Sequence, residues 1–306
     1  MYDNYSFMHS LDSKISKLPI NNDSINIIIA GDSRGERQLI PHIFKLNTGY
    51  NSINIAVTAG DIISTIPALQ TYSDLNIYVI SASSWQINDG AIDPGYLSLK
   101  CFRELTLFEK FQIYHENLNE LVRIEMRFIK QSILFLFRNY KDDYEKYHYD
   151  DTIIKNFGFL GIEDTLEIDS IKLNSLLGSH AWYKAINPNG ARWRIFTEEL
   201  NKFNERNSLI VIFQPPVSPI WKGKTENTFI GSFEKNYSKK LDSLCDQYEN
   251  IVFYDFYTND IDSLENNVFY DYQHLNRNGA AIFSRSLSSI ISKEIEARTY
   301  NTRLSH

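Results

Sequence analysis

The chain predicts an α/β fold, a parallel five-stranded sheet with helices on both faces. Two observations carry this expectation. Residues 25–29 contain four isoleucines and run through Ala30 into Gly31-Asp32-Ser33. A continuous β-branched run that stops on glycine suits a strand buried on both faces rather than a half-exposed one. Similar short apolar runs recur at residues 53–57, 75–80, 209–213 and 251–254, with helically spaced segments between them, the alternation that builds parallel sheets.

The first strand delivers Ser33 to its carboxyl end, the edge where ligands and chemistry collect in open α/β sheets. The second, INIAV, leads into Thr58-Ala59-Gly60-Asp61. The third is followed by Ser81-Ala82-Ser83-Ser84-Trp85-Gln86-Ile87-Asn88-Asp89-Gly90. The interval before the fourth run is far longer than a simple connection needs. Residues 97–140 space apolar side chains helically among charges, residues 142–151 read as a polar, tyrosine-rich loop, and residues 191–204 return to a helical pattern. A helical insertion at about residues 97–205 is the consequence. The fourth strand feeds Gln214-Pro215-Pro216, the fifth lies at 251–254, and a long C-terminal helix ends near Arg298. The expected architecture is a flavodoxin-like three-layer sandwich with strand order 2-1-3-4-5. Residues 1–306 form one domain in this reading, and the insertion is a partial lid.

A serine hydroxyl is a weak nucleophile unless a base removes its proton and a third group holds that base in the right tautomer. Asp271 and His274, three residues apart before the C-terminal helix, can supply both from one tight turn. Each block also has an ordinary reading: Asp32 and Ser33 as helix caps, or Asp271 as a cap with His274 on the surface. The joint occurrence of the two blocks, in this chain order, favours the catalytic reading.

Gly31-Asp32-Ser33 early in the chain and Asp271-Tyr272-Gln273-His274-Leu275-Asn276 near its end resemble the SGNH, or GDSL-type, hydrolase superfamily. That resemblance implies Ser33 as nucleophile, His274 as base and Asp271 as its orienter. It also implies an oxyanion hole built from a glycine after the second strand and an asparagine after the third. Gly60 is the candidate for the first, through its backbone N–H; its ordinary reading is a turn glycine with positive φ. Asn88 is the candidate for the second. The family pattern puts Gly-x-Asn-Asp directly at the strand end, whereas here Ser81 stands at the glycine position and Asn88-Asp89 come several residues later. Ser81 or Ser83 are the substitutes.

A net charge of −7 argues against a nucleic-acid-binding surface, which needs clustered Lys and Arg. Cys101 and Cys245 are the only cysteines, too few for a disulfide framework or a multi-cysteine zinc site, and both read as core thiols. Walker A, Gly-x-Gly-x-x-Gly and His-Glu-x-x-His patterns are missing, so no metal or cofactor is implied. The first residues lack a basic start followed by an apolar core, and no run approaches the length of a membrane span. A soluble, cytoplasmic protein is the expectation.

The substrate is less legible. Trp85, His180, Trp182, Trp193 and Trp221 are candidates to line a sugar- or acyl-binding cleft, and Arg34 to meet an anionic substrate group; core packing and a surface helix start are their plainer readings. The Pro-rich stretch at 215–221 resembles loops in bacterial SGNH proteins that modify cell-envelope polysaccharides. The expected activity is hydrolysis of a carboxylic ester or O-acyl group, such as O-acetyl, on a small molecule or saccharide. The alternatives are an O-acyltransferase using the same triad, and a non-catalytic binding protein on this scaffold.

Overall fold

A computed structural model describes residues 26–58, 60, 62–69, 76–88, 106–114, 153, 155–167, 169, 189–204, 208–259, 261 and 264–304, with isolated positions 11, 14, 15, 17, 18, 118, 122, 126, 173, 174 and 177. In chain order the elements are β1 (Asn26–Ala30), α1 (Ser33–Gln38), α2 (Pro41–Thr48), β2 (Asn51–Asn54), α3 (Ile62–Leu69), β3 (Ile77–Ser81), a 3₁₀ turn (Ser84–Ile87) and α4 (Leu107–Tyr114). They continue with α5 (Ala191–Asn204), β4 (Ile210–Gln214), α6 (Pro219–Thr225), α7 (Phe229–Cys245), β5 (Ile251–Asp255), a second 3₁₀ turn (Asn266–Val268) and α8 (Arg277–Leu304).

The five strands are all parallel in the order β2-β1-β3-β4-β5, the expected flavodoxin-like topology. Side chains of a strand alternate between faces, and both faces here are apolar. Ile28 and Ala30 of β1, with Tyr78, Ile80, Ile210 and Ile212, pack under α3, α5 and α7. Ile27 and Ile29, with Val79, Val211 and Phe213, pack under α2 and α8. This two-sided burial is why β1 reads as an unbroken hydrophobic run. Each fully buried Ile, Leu or Phe side chain contributes about 1.5–3 kcal/mol.

Besides shifts of one or two residues at the ends of β3, β4 and β5, three boundaries differ from the sequence expectation. The second strand begins two residues early and leaves the ladder at Asn54, although Ile55 N–H still donates to Ile29 O at 2.8 Å. The cause is the buried Asn54 side chain, which donates to Gly35 O and Leu39 O at 2.8 and 3.0 Å and accepts from Ala56 N–H at 3.0 Å. Second, α8 continues past Arg298 to Leu304. Third, α5 is a sheet-covering helix whose Phe196, Leu200 and Phe203 are fully buried in the core; it belongs to the helical layer rather than to the insertion. Most of the insertion, and its role as a lid, lie outside the described residues, as does Cys101.

Cys245 closes α7 and is buried, with its thiol pushed up to about 12 by burial and by the charges of Asp242 and Asp246. A thiol that is neither accessible nor ionised is inert. Iodoacetamide treatment followed by peptide mass mapping is expected to leave Cys245 unmodified in the native protein and to alkylate it fully in denaturant.

Candidate active site

Strand order reverses between β1 and β3, and the carboxyl ends at such a switch point are where ligands collect in open α/β sheets. Ser33 sits there, half-buried, as the first residue of α1. Asp32 caps this helix, its Oδ1 accepting from Arg34 N–H at 3.0 Å. The same buried carboxylate accepts from Ser81 Oγ at 3.3 Å and Ser83 Oγ at 2.6 Å. Asp32 therefore ties the turn that carries Ser33 to the end of β3 across the switch point. Gly31 makes the turn possible: its φ is +129°, and a Cβ there would lie 2.7 Å from Ser81 O and 2.8 Å from Ser81 Cβ. Gly31→Ala adds backbone strain to that collision and is expected to destabilise the fold by about 2 kcal/mol or more, a loss read as a lowered midpoint in urea unfolding.

Asp271 and His274 lie on a short loop pinned at both ends. Phe269 and Leu275 pair across it, and Asn276 rather than Asp271 caps α8, accepting from Gly279 N–H at 3.1 Å. Three other elements hold the loop. Gln38 Nε2 of α1 donates to Gln273 O at 2.9 Å, Ser218 N–H before α6 donates to Tyr272 O at 3.0 Å, and the Tyr272 hydroxyl donates to Asp169 O at 2.8 Å. Beneath it, Tyr272 packs with Trp221, Tyr257, Val217 and Leu173.

The structure brings the three residues together. Ser33 Oγ and His274 Nε2 are 2.8 Å apart, and His274 Nδ1 lies 2.9 Å from Asp271 Oδ2 and 3.0 Å from Oδ1. An ionised carboxylate only accepts, so Nδ1 carries the proton and Nε2 presents a lone pair to the serine. Burial alone would raise the Asp271 carboxyl. Hydrogen bonds from the His274 ring and from the Gln273 and His274 amides, at 2.8 and 2.9 Å, outweigh it and hold the group below its ordinary value. Asp271 thus stays ionised beside the His274 ring.

The oxyanion candidates fare differently. Gly60 N–H donates to Val57 O at 2.8 Å, closing a turn, so its single proton is already engaged. Nor is Gly60 a positive-φ glycine: a Cβ would fall 2.5 Å from Gly31 O, so it permits close approach to the Gly31-Asp32 backbone. Its carbonyl accepts from Gln86 Nε2 at 2.6 Å. Ser81 and Ser83 give their hydroxyl protons to Asp32, which leaves neither hydroxyl a proton for another acceptor. Asn88 follows the 3₁₀ turn, fully buried, its N–H donating to Trp85 O at 3.3 Å. The Ser33 N–H lies in the first turn of α1, where amides have no acceptor within the helix.

Arg34 is buried rather than a surface residue, and its Nε stands 3.7 Å from Asp32 Oδ2, which makes it part of the support of the Ser33 turn. Trp85 and Trp221 are core residues. Trp193 carries Lys240 Nζ 3.7 Å from its ring centroid. His180 and Trp182 lie outside the described residues. Sequence reasoning missed the Asp32 cage, Gln38, Arg37 and Tyr270; only the position of Asp32 beside Ser33 was a usable signal. Among the described residues no three His, Cys, Asp or Glu side chains gather as a metal would require, and no helix is long and apolar enough to cross a membrane.

The chain matches no protein-family model and no curated protein sequence. Among solved structures it is similar to a Streptococcus pneumonia protein provisionally described as a platelet activating factor. The identity is 11%, the TM-score 0.46, and the match covers 93% of this chain and 92% of that one.

Proposed function

We propose that this protein is an SGNH-type serine hydrolase that cleaves a carboxylic ester or O-acyl group. The observation that carries this reading is the continuous Ser33–His274–Asp271 hydrogen-bonded chain, with contacts of 2.8 and 2.9 Å, at a half-buried strand end. In the reaction His274 Nε2 takes the Ser33 proton as Oγ bonds to the carbonyl carbon. The carbonyl π pair moves to oxygen, where the Ser33 N–H, on the open first turn, donates to the developing charge. His274 then returns the proton to the departing alkoxide, leaving an acyl-serine and the free alcohol. Water, deprotonated by the same nitrogen, attacks this ester, and collapse releases the acid and restores Ser33. Asp271 keeps its negative charge throughout and stabilises the imidazolium in both halves. A saccharide O-acetyl group fits this chemistry, because it joins a small acyl group to an alcohol leaving group.

The test is labelling with a fluorophosphonate, which reacts only with an activated serine, read by intact mass and peptide mapping beside p-nitrophenyl acetate turnover. One adduct on Ser33 with matching loss of turnover supports the reading. A folded protein that stays unlabelled and inert rejects it.

A further inference from the structure

Tyr270 precedes Asp271, and its ring stacks on the His274 imidazole with centroids 5.4 Å apart and planes 24° from parallel. Arg37 belongs to α1, one helical turn beyond Ser33. Its Nη1 donates to the Tyr270 hydroxyl, Nη2 donates to Thr58 Oγ1 at 3.2 Å, and its guanidinium carbon is 5.7 Å from the Tyr270 ring centroid. Thr58 Oγ1 in turn donates to Glu36 Oε2 at 2.7 Å, and Glu36 Oε1 accepts from the buried Lys14 Nζ at 3.1 Å. The guanidinium is thus fixed from two sides, and through it Tyr270 is fixed against the base.

We propose that Arg37 and Tyr270 are positioning residues that hold the His274 ring in the plane in which Nε2 meets Ser33 Oγ; this rests on the reading of Ser33 as nucleophile. Asp271 fixes Nδ1 but leaves the ring free to pivot about that contact, and the terminal torsion of histidine has broad minima. A flat ring stacked on the imidazole restricts the pivot, whereas the tyrosine alone would swing on its own side-chain torsions. Arg37 ties it to the helix that carries the nucleophile, so base and nucleophile are registered by a contact separate from their own hydrogen bond. Tyr270 is not itself an acid or base at neutral pH. Burial, and next the charge of Asp271, push its hydroxyl up to about 12 despite Arg37. Small misplacements of reacting groups are costly, up to about 10²-fold per ångström.

The experiment compares wild type with Tyr270→Phe, Tyr270→Leu and Arg37→Met. It reads kcat and KM on p-nitrophenyl acetate, the rate of fluorophosphonate labelling, and the downfield proton resonance of His274 Nδ1–H. Tyr270→Leu is expected to lose about 30-fold in kcat and in labelling rate with KM unchanged, and Arg37→Met about 10-fold. The resonance broadens in both. Tyr270→Phe keeps the stack but lacks the hydroxyl that Arg37 holds, so it is expected to match Arg37→Met at about 10-fold and to stay above Tyr270→Leu. Wild-type rates in Tyr270→Leu overturn the positioning role, as does a change confined to KM or a Phe variant as poor as Leu. If Tyr270→Leu does not fold, Arg37→Met, which acts from the other element, decides by the same readouts. A wild-type Ser33 that is never labelled overturns both the hydrolase reading and this one, whereas a labelled Ser33 indifferent to Tyr270 overturns only this one.

Discussion

Ser33→Ala and His274→Ala are each expected to lower kcat on the order of 10⁶-fold, and the double variant to lose no more than either alone. On the proposed hydrolase reading, the two residues act through one proton transfer at one 2.8 Å contact. Without His274, Ser33 keeps its proton at neutral pH and has nothing to attack with. Without Ser33, His274 has no nucleophile to activate. Their effects are therefore the same loss counted from two sides, which separates a working pair from two independently useful groups. Steady-state turnover and labelling rate on the three variants, with thermal melts to show that each is folded, measure it. A double variant whose losses multiply would mean that the pair does not act as a unit, and a His274→Ala protein labelled at the wild-type rate would remove His274 from the mechanism.

What the sequence made legible, and what it did not, divides along a physical line. Apolar periodicity reports burial against the solvent, so β1, with three consecutive isoleucines after Asn26, declared itself, and so did the strand order once all candidate blocks fell at strand ends. Ser33, Asp271 and His274 were legible because their chemistry restricts residue type and chain order. Buried polar contacts are different: each depends on a partner that periodicity does not specify. Asp32 meets Ser81 and Ser83, 49 and 51 residues away. Asn54 interrupts a strand because its amide is needed by the turn around Gly35. Lys14, from the stretch ahead of β1, is fully buried, with its ammonium on Glu36 and on Ala56 O. Gly60 shows the same limit in reverse. It was singled out for its N–H and its φ, and what demands glycine there is a carbonyl 2.5 Å from where a Cβ would stand.

Asp271→Asn is expected to keep the fold and the loop yet lower kcat about 10⁴-fold near neutral pH. An asparagine fits the same volume, and its Oδ1 can still accept from the amides of Gln273 and His274, which now donate to Asp271 Oδ1 at 2.8 and 2.9 Å. Its amide group, however, donates where the carboxylate accepted. Facing His274 Nδ1, it selects the tautomer with the proton on Nε2, and a protonated Nε2 cannot take a proton from Ser33. The imidazolium of the transition state also loses its counter-charge. KM should barely change, since the loss falls on the chemical step. The substitution has a stability signature as well. The native Asp271 carboxyl lies below its ordinary value, so its contribution is fully present above the unfolded-state pKa, about 3.9. It is lost as pH falls through the lower folded value, where protonation removes the charge that His274 and the two amides address. Urea unfolding of wild type and variant should therefore show a gap at neutral pH that closes only below the ordinary carboxylate range. A gap that widened with acid would mean that burial, not the hydrogen bonds, governs this carboxylate, and that it is the protonated acid which the loop was built to hold.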